Sequence, residues 1–241
     1  MKKLLACLAL LTLTSAHALV LEKIQEKGEL QKLLSHKKVG FFIGSFDPLH
    51  VGLEEVIQES IKQGYCDYVV VFPLWENSKN KQMEDVNVRL DMLFAVFEDD
   101  PNVIVTRLAP QEIQSLLSKA DPKNPQQRDE SIKDADYIGI VGSDTALDFL
   151  SNKEVGKIFM TGETIGSKFY NSIAGTLAAI PTEDFVVAIQ GNHKLDALKG
   201  KLLGKPIIGT FQNKHSTLTS LELRNSIKRG ESVEGLINPQ V

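Results

Sequence analysis

Short apolar runs rich in β-branched residues alternate with polar segments of helical spacing along most of the chain. The runs predict buried strands at Val39–Ile43, Tyr68–Phe72, Val103–Thr106, Tyr137–Val141, Lys157–Met160, Phe185–Ile189 and Pro206–Thr210. Such near-continuous apolar runs are typical of a parallel sheet that is covered on both faces. The segments between them predict helices at Leu53–Gln63, Val88–Phe97, Pro110–Lys119, Thr145–Leu150 and Ser167–Ala179.

This alternation of strands and helices predicts an α/β protein with a doubly wound parallel sheet and right-handed crossovers. The polar segment Asp121–Asp134 carries two prolines and predicts a surface loop or insertion within the domain. We therefore expect a single domain over residues 38–241, preceded by a lead-in over residues 19–37.

The N-terminus has the layout of a secretory signal peptide. Lys2 and Lys3 precede the apolar run Leu4–Leu13, and small residues occupy Ala16 and Ala18. This layout predicts a signal peptide over residues 1–18 and export, to a periplasm or out of the cell, after cleavage near Ala18. A membrane anchor is one alternative, but the apolar run is about half of the ~20 residues that a span requires. A lipid-modified Cys7 is another, with only three apolar residues before it.

The composition is that of a globular protein. The chain has 241 residues and a net charge of −4, with 42% hydrophobic and 24% charged residues, which allows a sizeable core. An acidic chain without a basic stripe has no electrostatic footprint for nucleic acid. Cys66 is the only cysteine after the predicted cleavage site and is expected to pack beside the strand Tyr68–Phe72. No His, Cys, Asp and Glu cluster predicts a built-in metal site, and the oligomeric state stays open.

The stretch from Gly44 to Leu53 carries the candidate chemistry. A predicted strand ends at Gly44, Asp47 and Pro48 form a turn, and His50 and Gly52 lead into a helix. A helix start at the carboxyl edge of a parallel sheet offers backbone N–H groups and a positive dipole end to a phosphate. The alternative is an ordinary strand–turn–helix with an incidental histidine.

The letters GSFDPLHVG resemble the signature G-[ST]-F-[DN]-P-x-H-x-G-H of the nucleotidyltransferase superfamily. The resemblance implies a Rossmann-like enzyme that transfers a nucleotidyl group from a nucleoside triphosphate to a phosphate-bearing acceptor. Near the C-terminus, LTSLELR is similar to the second signature of that superfamily, I-S-S-T-x-I-R. The tail GESVEGLINPQV resembles the ending of bacterial nicotinate mononucleotide adenylyltransferases.

The second signature also has a plain structural interpretation. Thr219 followed by Glu222 predicts a capping box, and Gly230 predicts a helix end. Coupled to the first signature, the resemblance instead implies that Thr219, Ser220 and Arg224 bind the triphosphate.

Further stretches resemble the same family in the same order along the chain. Val71–Trp75 with Asn77–Lys81 is similar to a loop in which a lysine meets phosphate, Arg89–Leu93 resembles the family's R-L-x-M-L helix, and Gly142-Ser143-Asp144 resembles a turn that contacts the ribose. Alternatively, Lys79 and Lys81 belong to a solvated loop and Asp144 caps a helix. Trp75, His193 and His215 are expected to be packing or loop residues.

Together the resemblance implies two groups of site residues. The catalytic residues are His50, Lys79 and Arg224, and the nucleotide-binding residues are Gly44, Ser45, Phe46, Asp47, Gly52, Gly142, Asp144, Thr219 and Ser220. It implies ATP with Mg²⁺ as donor and nicotinate or nicotinamide mononucleotide as acceptor. Pantetheine phosphate and a cytidylyl substrate are the alternative pairings.

Two positions depart from the family pattern. Leu53 stands where the family has a second histidine that faces the α-phosphate, and Leu221 replaces a threonine. Removing one hydrogen-bond donor of this kind costs about 10²–10³ in rate. Two hypotheses follow: an adenylyltransferase with impaired catalysis, and an exported non-catalytic protein that binds a nucleotide or a partner protein in the same cleft.

Overall fold

The structure is a computed structural model that describes residues 34–74, 83–106, 120–121, 124–128, 135–151, 173, 176–177, 180 and 182–241. Its strands, in chain order, are β1 (Lys38–Gly44), β2 (Tyr68–Pro73), β3 (Val103–Val105), β4 (Ala120–Asp121), β5 (Asn124–Arg128), β6 (Asp136–Gly142), β7 (Asp184–Ile189), β8 (Lys201–Leu202) and β9 (Lys205–Gln212). Its helices are α1 (Val51–Lys62), α2 (Val86–Phe97), α3 (Ser143–Ser151) and α4 (Ser220–Lys228). A 3₁₀ turn spans Asp196–Leu198.

The main sheet has the strand order β3-β2-β1-β6-β7-β9-β8. All neighbouring pairs are parallel except β8 with β9. The chain leaves β1 towards β2 and β3, then returns to the other side of β1 as β6. This reversal is the topological switch point of a doubly wound sheet, where such proteins bind ligands. The predicted Rossmann-like α/β fold with a single domain is confirmed.

Two apolar cores lie on opposite faces of the sheet, because successive strand residues point to opposite faces. In β1, Phe41 and Ile43 belong to the core that includes Ala146 and Phe149 of α3. Phe42 belongs to the other core, which includes residues of α1 and α2 such as Ile57 and Leu93. The site described below therefore stands on a sheet that is packed on both sides.

Strands β1, β2, β3, β6, β7 and β9 and helices α1, α2 and α3 lie where the hydrophobic pattern predicts them, with ends shifted by a few residues. The pattern did not predict β4, β5 or β8, and α4 was indicated only by its capping residues. The predicted strand Lys157–Met160 and helix Pro110–Lys119 lie outside the described residues. So does most of the predicted helix Ser167–Ala179, although residues 173 and 176–177 are helical.

Two predictions differ from the structure. The supposed loop Asp121–Asp134 contributes to an antiparallel pair, in which Ala120 faces Arg128; backbone groups alone make this ladder, so the polar composition concealed it. The last strand was predicted to be buried, but β9 alternates, with Ile208 43% exposed. It lies next to the edge of the sheet, and its outer neighbour β8 is only two residues long.

Cys66 is buried, as predicted, and packs against β1 at Gly40. A Cβ on Gly40 would lie 2.6 Å from the Cys66 sulfur, so the glycine makes room for the thiol. Burial raises the pKa of this thiol to about 12, which makes it a packing group rather than a nucleophile. Within the described ranges, no helix has the length and hydropathy that a membrane span requires.

Candidate functional site

Two strand-to-helix corners meet at the switch point of the sheet. The first corner joins β1 to α1 over residues 44–51, and the second joins β6 to α3 at Gly142 and Ser143. Because β1 and β6 are adjacent and parallel, both corners lie at the same carboxyl edge. The start of α4 approaches this edge from the C-terminal part of the chain, as its hydrogen bonds to the first corner show.

Phe46 shapes the first corner through its backbone and not through its ring. Its φ of +47° is unusual for a residue with a side chain. The ring is 1% exposed and stands edge-on to Phe42, with 5.6 Å between the ring centres. A Cβ at Gly44 would come within 3.2 Å of the same ring. Gly44 therefore allows the ring to turn into the core, and only the Phe46 backbone is left to face a ligand.

An ion pair joins the two signature segments. Asp47 is 2% exposed, and its Oδ2 lies 2.9 Å from Arg224 Nη1. The same nitrogen donates to the backbone oxygen of Asp47, and the Ser220 hydroxyl donates to Pro48 O at 3.0 Å. The predicted site residues Asp47, Ser220 and Arg224 are thus brought together, and their side chains bond to each other and to the corner backbone.

Arg89 is a structural residue of the site for which sequence reasoning gave no role. It is 1% exposed, and its guanidinium donates to Glu84 O at 3.0 Å, Ser45 O at 2.7 Å and Leu74 O at 2.7 Å. Burial lowers the pKa of Arg89, and the charge of Asp47 opposes that shift. The arginine ties the first corner to the end of β2. Arg89 is the only basic residue in this mainly apolar helix, whose other polar residues are Asn87 and Asp91, and this was the signal that could have revealed it.

His50 precedes α1 as its N-cap residue, with an extended backbone and no capping hydrogen bond from its side chain. The residue is 4% exposed, and its Nδ1 has no hydrogen-bond partner among the described residues. Burial, followed by the charge of His215, lowers the pKa of His50 to about 4. The ring is therefore neutral near pH 7. Leaving a buried polar atom unpaired costs about 1–3 kcal/mol, which a bound ligand would relieve.

The first turn of α1 is only partly open. The Val51 N–H donates to Leu236 O at 3.1 Å, and the N–H groups of Leu53 and Glu54 donate to His50 O. In the part of the chain that the structure describes, the Gly52 N–H has no acceptor. Of the free N–H groups expected at this helix start, only that of Gly52 therefore remains within the described ranges. The N–H of Val51 is bonded to Leu236 O of the C-terminal tail.

The tail also reaches a second buried polar group. Asn238 Nδ2 donates to Glu54 Oε2 at 3.3 Å, while Glu54 Oε1 is buried without a partner within the described ranges. Burial raises the pKa of Glu54. His50 and Glu54 are four residues apart and thus lie on the same face of the helix.

The second corner is closely packed by polar side chains. A Cβ on Gly142 would lie 2.5 Å from Asp144 Oδ1 and 2.9 Å from Gln190 Nε2. The buried Ser143 hydroxyl accepts from Gln190 N at 2.9 Å and lies 2.8 Å from His193 Nδ1. His193 lies in the loop after β7, as predicted, and its ring bonds to Ser143 of this corner. Asp144 is exposed in the first turn of α3.

The capping prediction for α4 is confirmed. Thr219 Oγ1 accepts from Glu222 N at 3.2 Å and donates to Glu222 Oε2 at 2.7 Å. At the other end, Gly230 has a φ of +72°, and Glu231 N donates to Ser226 O, which is a Schellman ending. The Thr219 hydroxyl is thus bonded within the helix start.

The remaining predicted positions are placed as follows. Leu53 is half-buried and packs against the core between the sheet, α1 and α2, whereas Leu221 is 56% exposed. Lys79 and Trp75 lie outside the described residues. The described ranges contain no group of three or more His, Cys, Asp or Glu side chains that could hold a metal ion.

The fold and the two corners define a Rossmann-like protein with its candidate ligand site at the switch point. The chain belongs to the cytidylyltransferase-like family, whose model matches residues 41–189. This match, together with the relatives described next, confirms the resemblance to the nucleotidyltransferase superfamily and, within it, to nicotinate mononucleotide adenylyltransferases.

Two bacterial relatives match most of the chain. A probable nicotinate-nucleotide adenylyltransferase of Fusobacterium nucleatum is 22% identical over 85% of this chain and 94% of its own length. One of Clostridium novyi is 22% identical over 83% of this chain and 92% of its own length.

A solved structure has a similar fold. The nicotinic acid mononucleotide adenylyltransferase of Plasmodium falciparum, complexed with NaAD, has a TM-score of 0.54 and 14% identity. The match covers 85% of this chain and 92% of that one. At this identity the likeness shows the fold alone.

The first prediction concerns the stability contributed by the Asp47–Arg224 ion pair. Asp47→Asn leaves a largely buried guanidinium without its charge partner, which should lower the free energy of unfolding by about 3 kcal/mol. Urea unfolding measures this loss. Glu231→Gln is the control, because the Arg229–Glu231 pair is exposed and should contribute little. Equal effects of the two substitutions would contradict a structural role for the pair.

The second prediction concerns the pH dependence of stability that the buried, neutral His50 causes. Its pKa is about 4 in the folded chain and about 6.5 in the unfolded chain. Between these values the unfolded chain binds more protons, so stability is full above pH 6.5 and falls as the pH drops towards 4. From pH 7.5 to 4.5, the wild type should lose about 2 kcal/mol more than His50→Gln.

Urea unfolding at the two pH values checks this expectation. His36→Asn removes an exposed histidine at the opposite edge of the sheet, just before β1, and should lose as much stability as the wild type. A His50→Gln variant with the acid sensitivity of the wild type would contradict the buried, neutral histidine.

Proposed function

We propose that this protein transfers AMP from ATP, bound with Mg²⁺, to a mononucleotide acceptor of the nicotinate or nicotinamide type. The observation that carries the proposal is His50, a buried histidine with an unpartnered Nδ1 beside a helix start at the switch point. The names of the bacterial relatives support adenylyl transfer to nicotinate nucleotide. Pantetheine phosphate and a cytidylyl donor remain the alternatives.

The reaction is an in-line displacement at phosphorus. A phosphate oxygen of the acceptor forms a bond to the α-phosphorus of ATP, the bond from that phosphorus to the α–β bridging oxygen breaks, and pyrophosphate leaves. No proton has to be removed from an ionised phosphate, so the protein mainly positions the reactants and stabilises the developing charge. Mg²⁺ arrives with the triphosphate and neutralises part of its charge.

The residues of the first corner suit this task. His50 can donate from its ring to a phosphate oxygen, and the Gly52 N–H, which has no acceptor within the described residues, can donate from the helix start. Arg224 is held beside them by Asp47. Gly142 and Asp144, at the second corner, are proposed as ribose contacts on the grounds of the family resemblance. Lys79 is proposed as a further phosphate ligand on the grounds of its resemblance alone.

We further propose that turnover is slow. Leu53 packs into a core and has no donor to offer, so a phosphate contact that the family resemblance implies is absent. The second candidate function is an exported protein that binds a nucleotide or a partner without catalysis. Leu53 and the N-terminal sequence pattern favour this second candidate, whereas the geometry of His50 and Gly52 favours retained nucleotide binding.

Export after cleavage near Ala18 is also a proposal, supported by the two lysines, the apolar run and the small residues at Ala16 and Ala18. We expect the exported protein to lack residues 1–18. Intact-mass measurement of protein recovered outside the cytoplasm checks this, and a recovered mass that still includes residues 1–18 would contradict cleavage there.

A binding and turnover assay separates the two functions. The full-length protein should bind ATP–Mg²⁺ in calorimetry and release pyrophosphate slowly when nicotinate mononucleotide is added, as a coupled pyrophosphate assay measures. A panel of nicotinamide mononucleotide and pantetheine phosphate identifies the acceptor. Binding without turnover on any acceptor would favour the non-catalytic candidate. Absence of binding at millimolar ATP would overturn both.

In the same assay, Leu53→His tests the proposed defect. Because a histidine at position 53 supplies a new donor, we expect the rate to rise about tenfold, less than the full 10²–10³ of a preorganised donor, since the leucine is anchored in the core. Leu53→Met, a volume-conserving change, is the matched control and should leave the rate unchanged. A wild type of ordinary enzyme rate, with Leu53→His no faster, would show that Leu53 does not limit catalysis.

A further inference from the structure

His215, in the loop after β9, lies beside the first corner. The sequence indicated the loop but not this position. A Cβ placed on Gly52 would come within 3.2 Å of His215 Cβ and within 3.2 Å of His50 Cε1. The two histidines therefore flank the same glycine in the first turn of α1. At this proximity the charge of His215 contributes, after burial, to the lowered pKa of His50.

The loop that carries His215 is fastened to α1 on both sides of this point. Asn213, 4% exposed, donates from Nδ2 to Gly52 O at 3.2 Å and accepts from His215 N at 2.9 Å on Oδ1. Glu55 Oε2 accepts from the backbone N–H groups of Lys214 at 3.0 Å and His215 at 3.3 Å. These bonds hold the His215 backbone against the helix start, so the position of the residue is built into the fold.

Both glutamates that follow Leu53 in α1 have hydrogen-bond partners. Glu55 Oε2 accepts from the backbone N–H groups of the loop, and Glu55 Oε1 lies 4.0 Å from Lys214 Nζ. Glu54 Oε2 accepts from Asn238 Nδ2, and burial raises the pKa of Glu54. His215 itself is exposed, so its side chain is accessible to a ligand.

We propose that His215 is a second phosphate-binding residue of this site, placed with His50 and the Gly52 N–H around the phosphate chain of the bound nucleotide. The inference deepens the proposed function and rests on it. His50 supplies a buried imidazole donor, and His215 supplies an exposed one. In this proposal the loop after β9 contributes one of the side chains that bind phosphate.

Gly52 leaves room for this arrangement. A Cβ there would lie 3.1 Å from His215 O and 3.2 Å from an atom of each histidine side chain, which is closer than ordinary van der Waals contact. The glycine therefore allows the His215 loop and His50 to pack this closely against the start of α1.

Calorimetric titration of inorganic tripolyphosphate into the full-length protein at pH 6.5 tests the proposal. His215→Asn removes the imidazole donor, so we expect tripolyphosphate to bind at least about tenfold more weakly, as the loss of a hydrogen bond to a charged phosphate implies. His215→Lys retains a positive charge and should bind within about threefold of the wild type. His36→Asn, the exposed histidine at the far edge of the sheet, is the matched control and should bind like the wild type.

A second readout follows the ring directly. In proton NMR, the His215 Cε1 proton should shift when tripolyphosphate is added, and the His36 resonance should not. Unaltered tripolyphosphate affinity in His215→Asn, with binding intact in the wild type, would overturn the role of His215 and leave the proposed function standing. Weak binding in both His215→Asn and His215→Lys, with no shift of the His215 resonance, would indicate a merely structural residue and overturn the role. Absence of tripolyphosphate and ATP binding in the wild type would overturn both proposals together.

Discussion

The contact between Asp47 and Arg224 is the interaction on which the arrangement of this site depends. It joins two segments that are 177 residues apart in the chain, and it does so with a carboxylate that is nearly withdrawn from solvent. The Ser220 hydroxyl adds a second bond between the same segments at Pro48 O. An ion pair of this kind contributes little net stability compared with apolar packing, but it tolerates only one relative placement of its partners. Here that placement brings the start of α4 to the start of α1.

The sheet and its two corners could be predicted from the sequence because each depends on local pattern. Apolar runs mark β1, β2, β6 and β7 directly, and the letters from Gly44 to Gly52 mark the first corner. The exposed face of β9 could not be predicted, since its composition is that of a buried strand and only its place near the edge decides otherwise. The β4–β5 pair escaped prediction because its residues are polar and its bonds are those of the backbone.

The side chains that support the site were harder to predict than those that line it. Arg89 donates to three carbonyl groups from different parts of the chain, and no spacing in the sequence relates those carbonyls to one another. His215 and Asn213 acquire their roles only because the loop after β9 packs on α1. The resemblance to a family supplied positions along the chain, and the physical environment of each position came from tertiary structure. The neutral His50 and the covered Val51 N–H are examples.

The C-terminal tail closes one side of the α1 start, where Leu236 O accepts from Val51 N–H and Asn238 bonds to Glu54. The first corner is synthesised before three of its neighbours, namely the His215 loop, α4 and this tail. A growing chain that has not yet reached these neighbours has no assembled site, even when the strands around the first corner have already paired. The site is therefore complete only in a chain that extends at least to Asn238.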